Sequence, residues 1–342
     1  MSAVALRRVA IVGAGAIGGW LGVKLGLAGC EVSALARGDT LRALQADGLH
    51  MHTGGQHLRL PVRADADPAA LGPQDLVVIA VKAPSLAALA PSLAPLIGPD
   101  TVVLTAMNGV PWWFLDGFGG TLAGRSLQAV DPGGAIARAL PARHVVGCVV
   151  HASCSLDGPG VVRHHFGNGL IVGEPSGQPS ERVQALAALL QGAGFNATVS
   201  AQIQKDIWYK LWGNMTVNPV SALTGATTDR ILGDELVRGF VSAVMLEAKA
   251  IGAYIGIPID QQPEDRHAVT LKLGAFKTSM LQDVEAKKAV ELDALVSAVR
   301  ELGQLAGVAT PFTDALLGLS RLQAQTLGLY PAPGADGRGP IG

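Results

Sequence analysis

The sequence predicts an α/β domain built on a parallel sheet, followed by an all-helical domain, and three observations carry that prediction. A short apolar strand, Val9-Ala10-Ile11-Val12, runs straight into Gly13-Ala14-Gly15-Ala16-Ile17-Gly18 and then a helix reaching about Ala28. Apolar, strand-like runs recur from there to Val199. Beyond about Gln202 they almost vanish and helical periodicity takes over. The 342 residues, 49% of them hydrophobic and 15% charged, are enough for two domains with buried cores and too apolar for a disordered chain.

The elements follow in order. Gly29-Cys30 closes the first helix, and Glu31 to Ala36 is a second strand, which makes one βαβ unit with glycines at the strand-to-helix turn. Leu49–Met51 and His57–Val62, around Thr53-Gly54-Gly55, read as a hairpin. Leu76–Val81 and Thr101–Ala106 read as fully buried strands, covered on both faces. Val145–His151, Val161–His165, Leu170–Val172 and Ala197–Val199 add later strands, with a helix over Ser180–Gly192. Residues 203–219, 233–256, 263–286 and 290–306 read as long helices, with a shorter one at 312–327. The domains are therefore placed at 1–200, a Rossmann-type nucleotide-binding unit, and 201–330, a helical catalytic unit. Pro331–Gly342, rich in Pro and Gly, reads as a flexible tail.

Composition narrows the function classes. The net charge is -1, which favours neither nucleic acid nor an anionic membrane. Met1–Leu6 is too short for a secretory signal, and Leu76–Ile97 carries Lys82, Pro84, Pro91 and Pro95, so it is no membrane span. Cys30, Cys148 and Cys154 form no CxxC and cannot all pair, which fits a reducing cytoplasm. They read as small buried residues. His50, His52, His57, His164 and His165 have no acidic or cysteine partner at a matching offset, so no metal is expected. Arg266 and Lys272 read as a solvated helix face.

The glycine run has a mechanical meaning. Gly13 permits the turn, Gly15 lets a diphosphate approach backbone N–H groups at the helix N-terminus, and Gly18 lets helix and strand pack. Ala14, Ala16 and Ile17 complete that loop. At the end of the second strand, where NAD sites carry Asp or Glu, stands Arg37. A carboxylate would repel a 2′-phosphate, whereas an arginine can pair with it, so NADPH/NADP is the expected cofactor. Solvated pairing with Asp39 is the alternative reading of Arg37. Lys82 and Asn108-Gly109 end apolar strands, and the carboxyl ends of parallel strands converge on the ligand crevice.

Lys210, Asn214 and Asn218, followed by Pro219, are spaced i, i+4, i+8 among apolar neighbours. On a helix they form one polar stripe. An ammonium and two amides in apolar surroundings suit a carbonyl: the lysine can stabilise developing charge and donate a proton, and the amides can orient.

Together these residues resemble ketopantoate reductases (2-dehydropantoate 2-reductases). The resemblance runs from about Arg8 to Thr326. It rests on the glycine loop, Val81-Lys82-Ala83, Asn108-Gly109-Val110, the Lys210-to-Pro219 pattern, Ser279-Met280-Leu281-Gln282-Asp283 and Glu291-Leu292-Asp293. It implies an active site between the two domains and NADPH-dependent reduction of a small 2-keto acid to the 2-hydroxy acid. Lys210 then corresponds to the catalytic lysine, Glu291 to the substrate-binding glutamate, and Asn214, Asn218 and Ser279 to substrate contacts. Asn108 and Lys82 correspond to residues that organise the nicotinamide end and the lysine, and Arg37 to the 2′-phosphate arginine. Three departures stand out: Thr228 where the family carries an asparagine, no proline in Lys287-Lys288-Ala289-Val290 before Glu291, and a long segment starting Pro111-Trp112-Trp113-Phe114. The tryptophans could roof a larger pocket or belong to the core. Two other functions stay open: a reductase of another hydroxy acid or bulkier ketone, and a nicotinamide-sensing protein without turnover. A homodimer is plausible.

Overall fold

The computed structural model describes residues 6–332. Most of the Pro331–Gly342 tail and of Met1–Leu6 lies outside the described residues. The chain opens with β1 (Arg8–Val12), α1 (Ala16–Leu27) and β2 (Glu31–Leu35), then α2 (Gly38–Asp47). The hairpin β3 (Leu49–Thr53) and β4 (Gln56–Leu60) follows, with β5 (Arg63–Asp65), α3 (Pro68–Leu71), β6 (Gln74–Ile79), α4 (Ala83–Leu89) and β7 (Ile97–Thr105). After α5 (Ala135–Ala139) come β8 (Val145–Gly158), β9 (Val161–Gly173), α6 (Glu181–Gly192) and β10 (Asn196–Val199). From there the described elements are helical: α7 (Ile203–Thr224), α8 (Thr228–Gly233), α9 (Glu235–Tyr254), α10 (Pro263–Leu271), α11 (Ser279–Glu285), a π-helical segment Asp293–Ser297, α12 (Ala298–Ala306) and α13 (Pro311–Thr326).

The strands form one sheet. Its parallel part has the order β5-β2-β1-β6-β7-β8. The chain steps outward from β1 in both directions, so the crevice at the carboxyl ends of β1 and β6 is the switch point where such sheets bind ligands. β6 shows why its sequence is unbroken apolar: Leu76, Val77, Val78 and Ile79 are all fully buried, covered on both faces. β9 extends the sheet by antiparallel pairing with β8, and β3 and β10 pair parallel to β9. Val161–His165 and Leu170–Val172, read separately, are one strand. Register shifts around Ser153 absorb the turn-like Gly167-Asn168-Gly169, so pairing continues through it.

The helical half departs from its sequence reading in three places. The helix read over 263–286 is two, α10 and α11, separated by a turn through Gly274. Thr228 holds that turn, its N–H donating to Phe276 O at 3.0 Å and its Oγ1 to Gly274 O at 2.8 Å. The helix read over 290–306 begins as the π segment. The one read to 219 continues to Thr224. Pro219 removes one N–H from its ladder, and burial of Val217, Val220 and Ala222 outweighs that loss.

Trp112 and Trp113 are core. Trp112 is buried with Nε1 donating to Leu140 O at 3.1 Å, and the Trp113 ring fills the space where a Cβ on Gly147 would stand 2.5 Å away. The segment they open leads from the loop after β7, and that loop is clamped. Val110 N donates to Ala294 O of the π segment at 2.8 Å, and a Cβ on Gly109, whose φ is +82°, would stand 2.5 Å from the same oxygen. Gly109→Ala should therefore destabilise the fold. The left-handed φ alone costs roughly 1–3 kcal/mol, and the clash adds to it. Urea unfolding of the two proteins checks this, and equal midpoints would show that the clamp does not hold the loop.

Candidate active site

The glycine loop has the geometry its sequence promised. Gly13, at φ +95°, lies so close to Val81 that a Cβ would meet that residue's Cγ1 at 2.6 Å. A Cβ on Gly18 would stand 2.1 Å from Gly13 O, so helix and loop touch there. Above Gly15 there is nothing within 4 Å. Gly15 is also the N-cap of α1, without a side-chain cap and with no acid in the first turn. Open space over unfilled helix N–H groups is a cradle that fits a dinucleotide diphosphate. Arg37 follows β2 as the N-cap residue of α2 and is exposed. Asp39, its alternative partner, pairs with Arg42 instead. Among the described residues the Arg37 guanidinium has no ion-pair partner, which leaves it available to a phosphate.

Lys210 rises from the middle of α7 toward the loop after β7 and the middle of β8. Its Nζ donates to Asn108 Oδ1 at 2.8 Å and to Val150 O at 2.7 Å. An ammonium has three N–H donors, so one remains. It lies in a narrow cleft lined also by Met107, Cys148, Ile207 and Asn214. Burial lowers the Lys210 pKa to about 8, with Glu291's negative charge acting against the shift and Arg266's positive charge adding to it. Cys148, beneath it, is pushed up to about 12 by burial, so it is a neutral thiol and no nucleophile.

Asn214 shares the Lys210 cleft, and its amide makes no hydrogen bond within the chain among the described residues. Asn218, one turn on, is buried, with Nδ2 3.5 Å from Ser279 Oγ. Ser279 begins α11, whose N-cap Thr278 accepts from Leu281 N. Glu291 Oε1 accepts from Ala83 N, the first N–H of α4, at 3.2 Å. Burial raises its pKa, opposed by that hydrogen bond and by the charges of Lys82 and Lys210, while Asp283 pushes the same way as burial. The missing proline before Glu291 has a substitute. Lys287 takes a left-handed φ of 53° and ends α11, and Val290 N donates to Leu329 O at 3.2 Å.

Lys82 forms an ion pair with Asp283 of α11 and approaches Ala289 O at 3.5 Å, so it ties the two halves of the chain together. The structure thus brings Lys210, Asn108 and Asn214 into one cleft, joins Asn218 to Ser279, and holds Lys82 and Glu291 at the N-terminus of α4. Thr228 is not among them, because its hydroxyl is spent on Gly274 O. Sequence reasoning gave three residues here no role in the site. Asp283 was quoted in the motif with Ser279, and lies four residues after it on the same helical face, but was given no partner. The Val150 carbonyl carried none. Arg266, read as solvated, instead packs on α7 with its guanidinium carbon 5.2 Å from the Tyr209 ring centroid. Gly213 makes the room.

A glycine cradle at a switch point, facing a lysine held in a polar cleft, is the arrangement of an oxidoreductase. Comparison with known proteins gives the class a family. Residues 9–112 match the family described as "Ketopantoate reductase PanE/ApbA", and residues 202–324 match "Ketopantoate reductase PanE/ApbA C terminal". The 2-dehydropantoate 2-reductase of Mesorhizobium japonicum is 47% identical over 324 residues, covering 94% of this chain and 99% of the relative. A crystal structure from Ralstonia solanacearum superposes with a TM-score of 0.92 at 59% identity, over 95% of this chain and 100% of that one. The 2-dehydropantoate 2-reductase of Geobacter metallireducens superposes at 0.81 with 27% identity, over 92% and 99%. The chain belongs to the ketopantoate reductase family. Among the described residues no helix is long and apolar enough to cross a membrane, and no group of three or more His, Cys, Asp or Glu is placed to hold a metal ion.

The Lys210 pKa gives a direct check. Lysine-selective NMR should show one ammonium titrating near pH 8. Glu291→Gln should move it lower, because the carboxylate is one of the groups that favour the charged form. Between pH 8 and the ordinary value of 10.5 the unfolded chain binds more protons than the folded one, so this group makes stability rise with pH across that window. An ordinary lysine titration, unmoved by Glu291→Gln, would contradict the burial account.

Proposed function

We propose that the protein reduces ketopantoate, a 2-keto acid, to the 2-hydroxy acid with NADPH. The observation that carries the proposal is the Lys210 ammonium, held by Asn108 and Val150 with one N–H left for the cleft and a pKa near 8. A reduced nicotinamide, when bound on the glycine cradle, supplies the hydride. Lys210 then acts on the ketone oxygen. Its ammonium stabilises negative charge as the charge develops and passes a proton to the oxygen, leaving a neutral amine. Below pH 8 that amine takes its proton back from solvent.

Asn108 and the Val150 carbonyl hold Nζ in place, so the donor needs no reorganisation in the reaction. Asn214, Asn218 and Ser279 offer amide N–H and hydroxyl donors to the rest of the substrate at no cost in charge repulsion. Glu291, fixed by Ala83 N, is the acceptor for the substrate's hydroxyl. Arg37 pairs with the 2′-phosphate and so selects NADPH over NADH; one charge-assisted hydrogen bond contributes roughly 1.5–3 kcal/mol. Both tryptophans are core, which supports a small 2-keto acid over a bulkier ketone. A proton donor tuned near neutral pH has no purpose in a sensor.

NADPH oxidation should be followed at its absorbance band with ketopantoate and a panel of 2-keto acids. Lys210→Ala should lower kcat by about 100- to 10,000-fold, the usual worth of a positioned general acid. Full kcat in the variant would remove Lys210 from the chemistry. With wild type, kcat should be level below pH 8 and fall above it as the donor is lost. Arg37→Ala should raise KM for NADPH far more than for NADH, and an unchanged cofactor ratio would show that the arginine does not read the phosphate.

A further inference from the structure

The sheet has an apolar core on each face, and the Lys210 site belongs to one of them. Ile207 and Leu211, which line the Lys210 cleft, pack in the first core, while Trp20 of α1, Met51 of β3 and Phe195 lie in the second. On that second face α1, the β3–β4 hairpin, β9 and the turn after α6 enclose another cleft, of about 580 Å³. Buried Trp20 and Met51, with the more exposed Leu27 and Leu58, make its walls apolar, and Lys24 and His164 add polar groups. Helix rise puts Lys24 about 13 Å along α1 from the Gly15 cradle. The mechanism gives this second cleft no task.

Lys24 is its chemical handle. The Nζ donates to Asn168 Oδ1 at 2.7 Å and to Gly194 O at 2.8 Å, and stands 4.2 Å from the centroid of the Phe195 ring. All three neighbours are neutral. Among the described residues no carboxylate lies within ion-pair distance of Lys24, and no acid lines the cleft. This half-buried ammonium has lost part of its water without gaining a counter-charge, and burial lowers its pKa. His164 is held as firmly. Gly167 O can only accept, so His164 Nε2 donates to it at 2.6 Å, and Nδ1 accepts from the Thr53 hydroxyl at 3.0 Å. The imidazole stacks within 7° of parallel to Trp20.

A cleft of roughly 300–1,000 Å³ with apolar walls and a few fixed polar groups is the usual form of a small-molecule site. One uncompensated ammonium among apolar walls matches one negative charge on an apolar body. We propose that this cleft is a second ligand site, separate from the Lys210 cleft, that takes a small organic acid with its carboxylate on Lys24 and its apolar body against Leu27 and Leu58. The carboxylate supplies the counter-charge that Lys24 lacks. Lys24 and His164 are already held by their own hydrogen bonds, so binding has little ordering to do. The site lies on the face of the sheet away from α7, so its ligand and the substrate can be bound together. The inference stands on Lys24 and its cleft and does not depend on the reading of the reaction.

The test uses indole-3-acetate and its neutral amide, indole-3-acetamide, which share a ring system and differ in charge. Calorimetric titration of the full-length protein should show indole-3-acetate binding equally well with and without NADP. The amide should bind about tenfold more weakly or worse, the worth of one charge-assisted hydrogen bond. Lys24→Gln should weaken the acetate by a similar factor and leave the amide unmoved, whereas mere loosening of α1 would weaken both. Leu27 is 55% exposed, so Leu27→Glu should fold, and its charge should repel the acetate and spare the amide. That variant decides the matter if Lys24→Gln does not fold. Four results would each overturn the proposal: no binding of indole-3-acetate at millimolar concentration, equal binding of the two probes by wild type, displacement by NADP, or acetate affinity unchanged in the variants. The last is the result expected of a probe seated in the Lys210 cleft instead.

Discussion

The site depends on where one ammonium is held. Lys210 belongs to α7, yet both of its acceptors, Asn108 Oδ1 and Val150 O, belong to the sheet-bearing half of the chain. Removing an ammonium from water is costly, and two well-placed acceptors offset that cost only while the halves keep their present spacing. The same spacing is fixed at the N-terminus of α4 by Lys82 with Asp283 and by Glu291 with Ala83 N. The cleft is therefore a product of three polar cross-links over an apolar core, and the loop carrying Asn108 is locked by Gly109 against the π segment.

Electrostatics sets the lysine's working range. Burial is the larger effect and takes the pKa down to about 8, while Glu291 keeps it from falling further. A donor in that range is charged at neutral pH and still gives its proton readily. Arg266, packed on a neighbouring face of α7, adds a smaller push in the same direction as burial.

Much of this was legible in the sequence where local pattern and final environment agree. The βαβ unit, the hairpin of β3 and β4 and the buried run of β6 each follow from periodicity and glycine placement. The stripe Lys210, Asn214 and Asn218 was legible because spacing alone puts it on one face. What escaped had non-local causes. The break between α10 and α11 is held by Thr228, far away in sequence, and Pro219 fails to stop α7 because tertiary burial outweighs one lost hydrogen bond. Arg266 looks like any exposed arginine until Gly213 is seen beneath it. The Val150 carbonyl has no side-chain signature at all. Trp112 and Trp113 were ambiguous because a large apolar residue looks the same in a core and in a pocket wall.

The most direct test is a crystal structure of the protein with NADP and a bound 2-keto acid. The account predicts the ketone oxygen within hydrogen-bond reach of Lys210 Nζ, on its third donor, with the Asn108 and Val150 contacts kept. A substrate bound with its ketone oxygen turned away from Lys210 would contradict it.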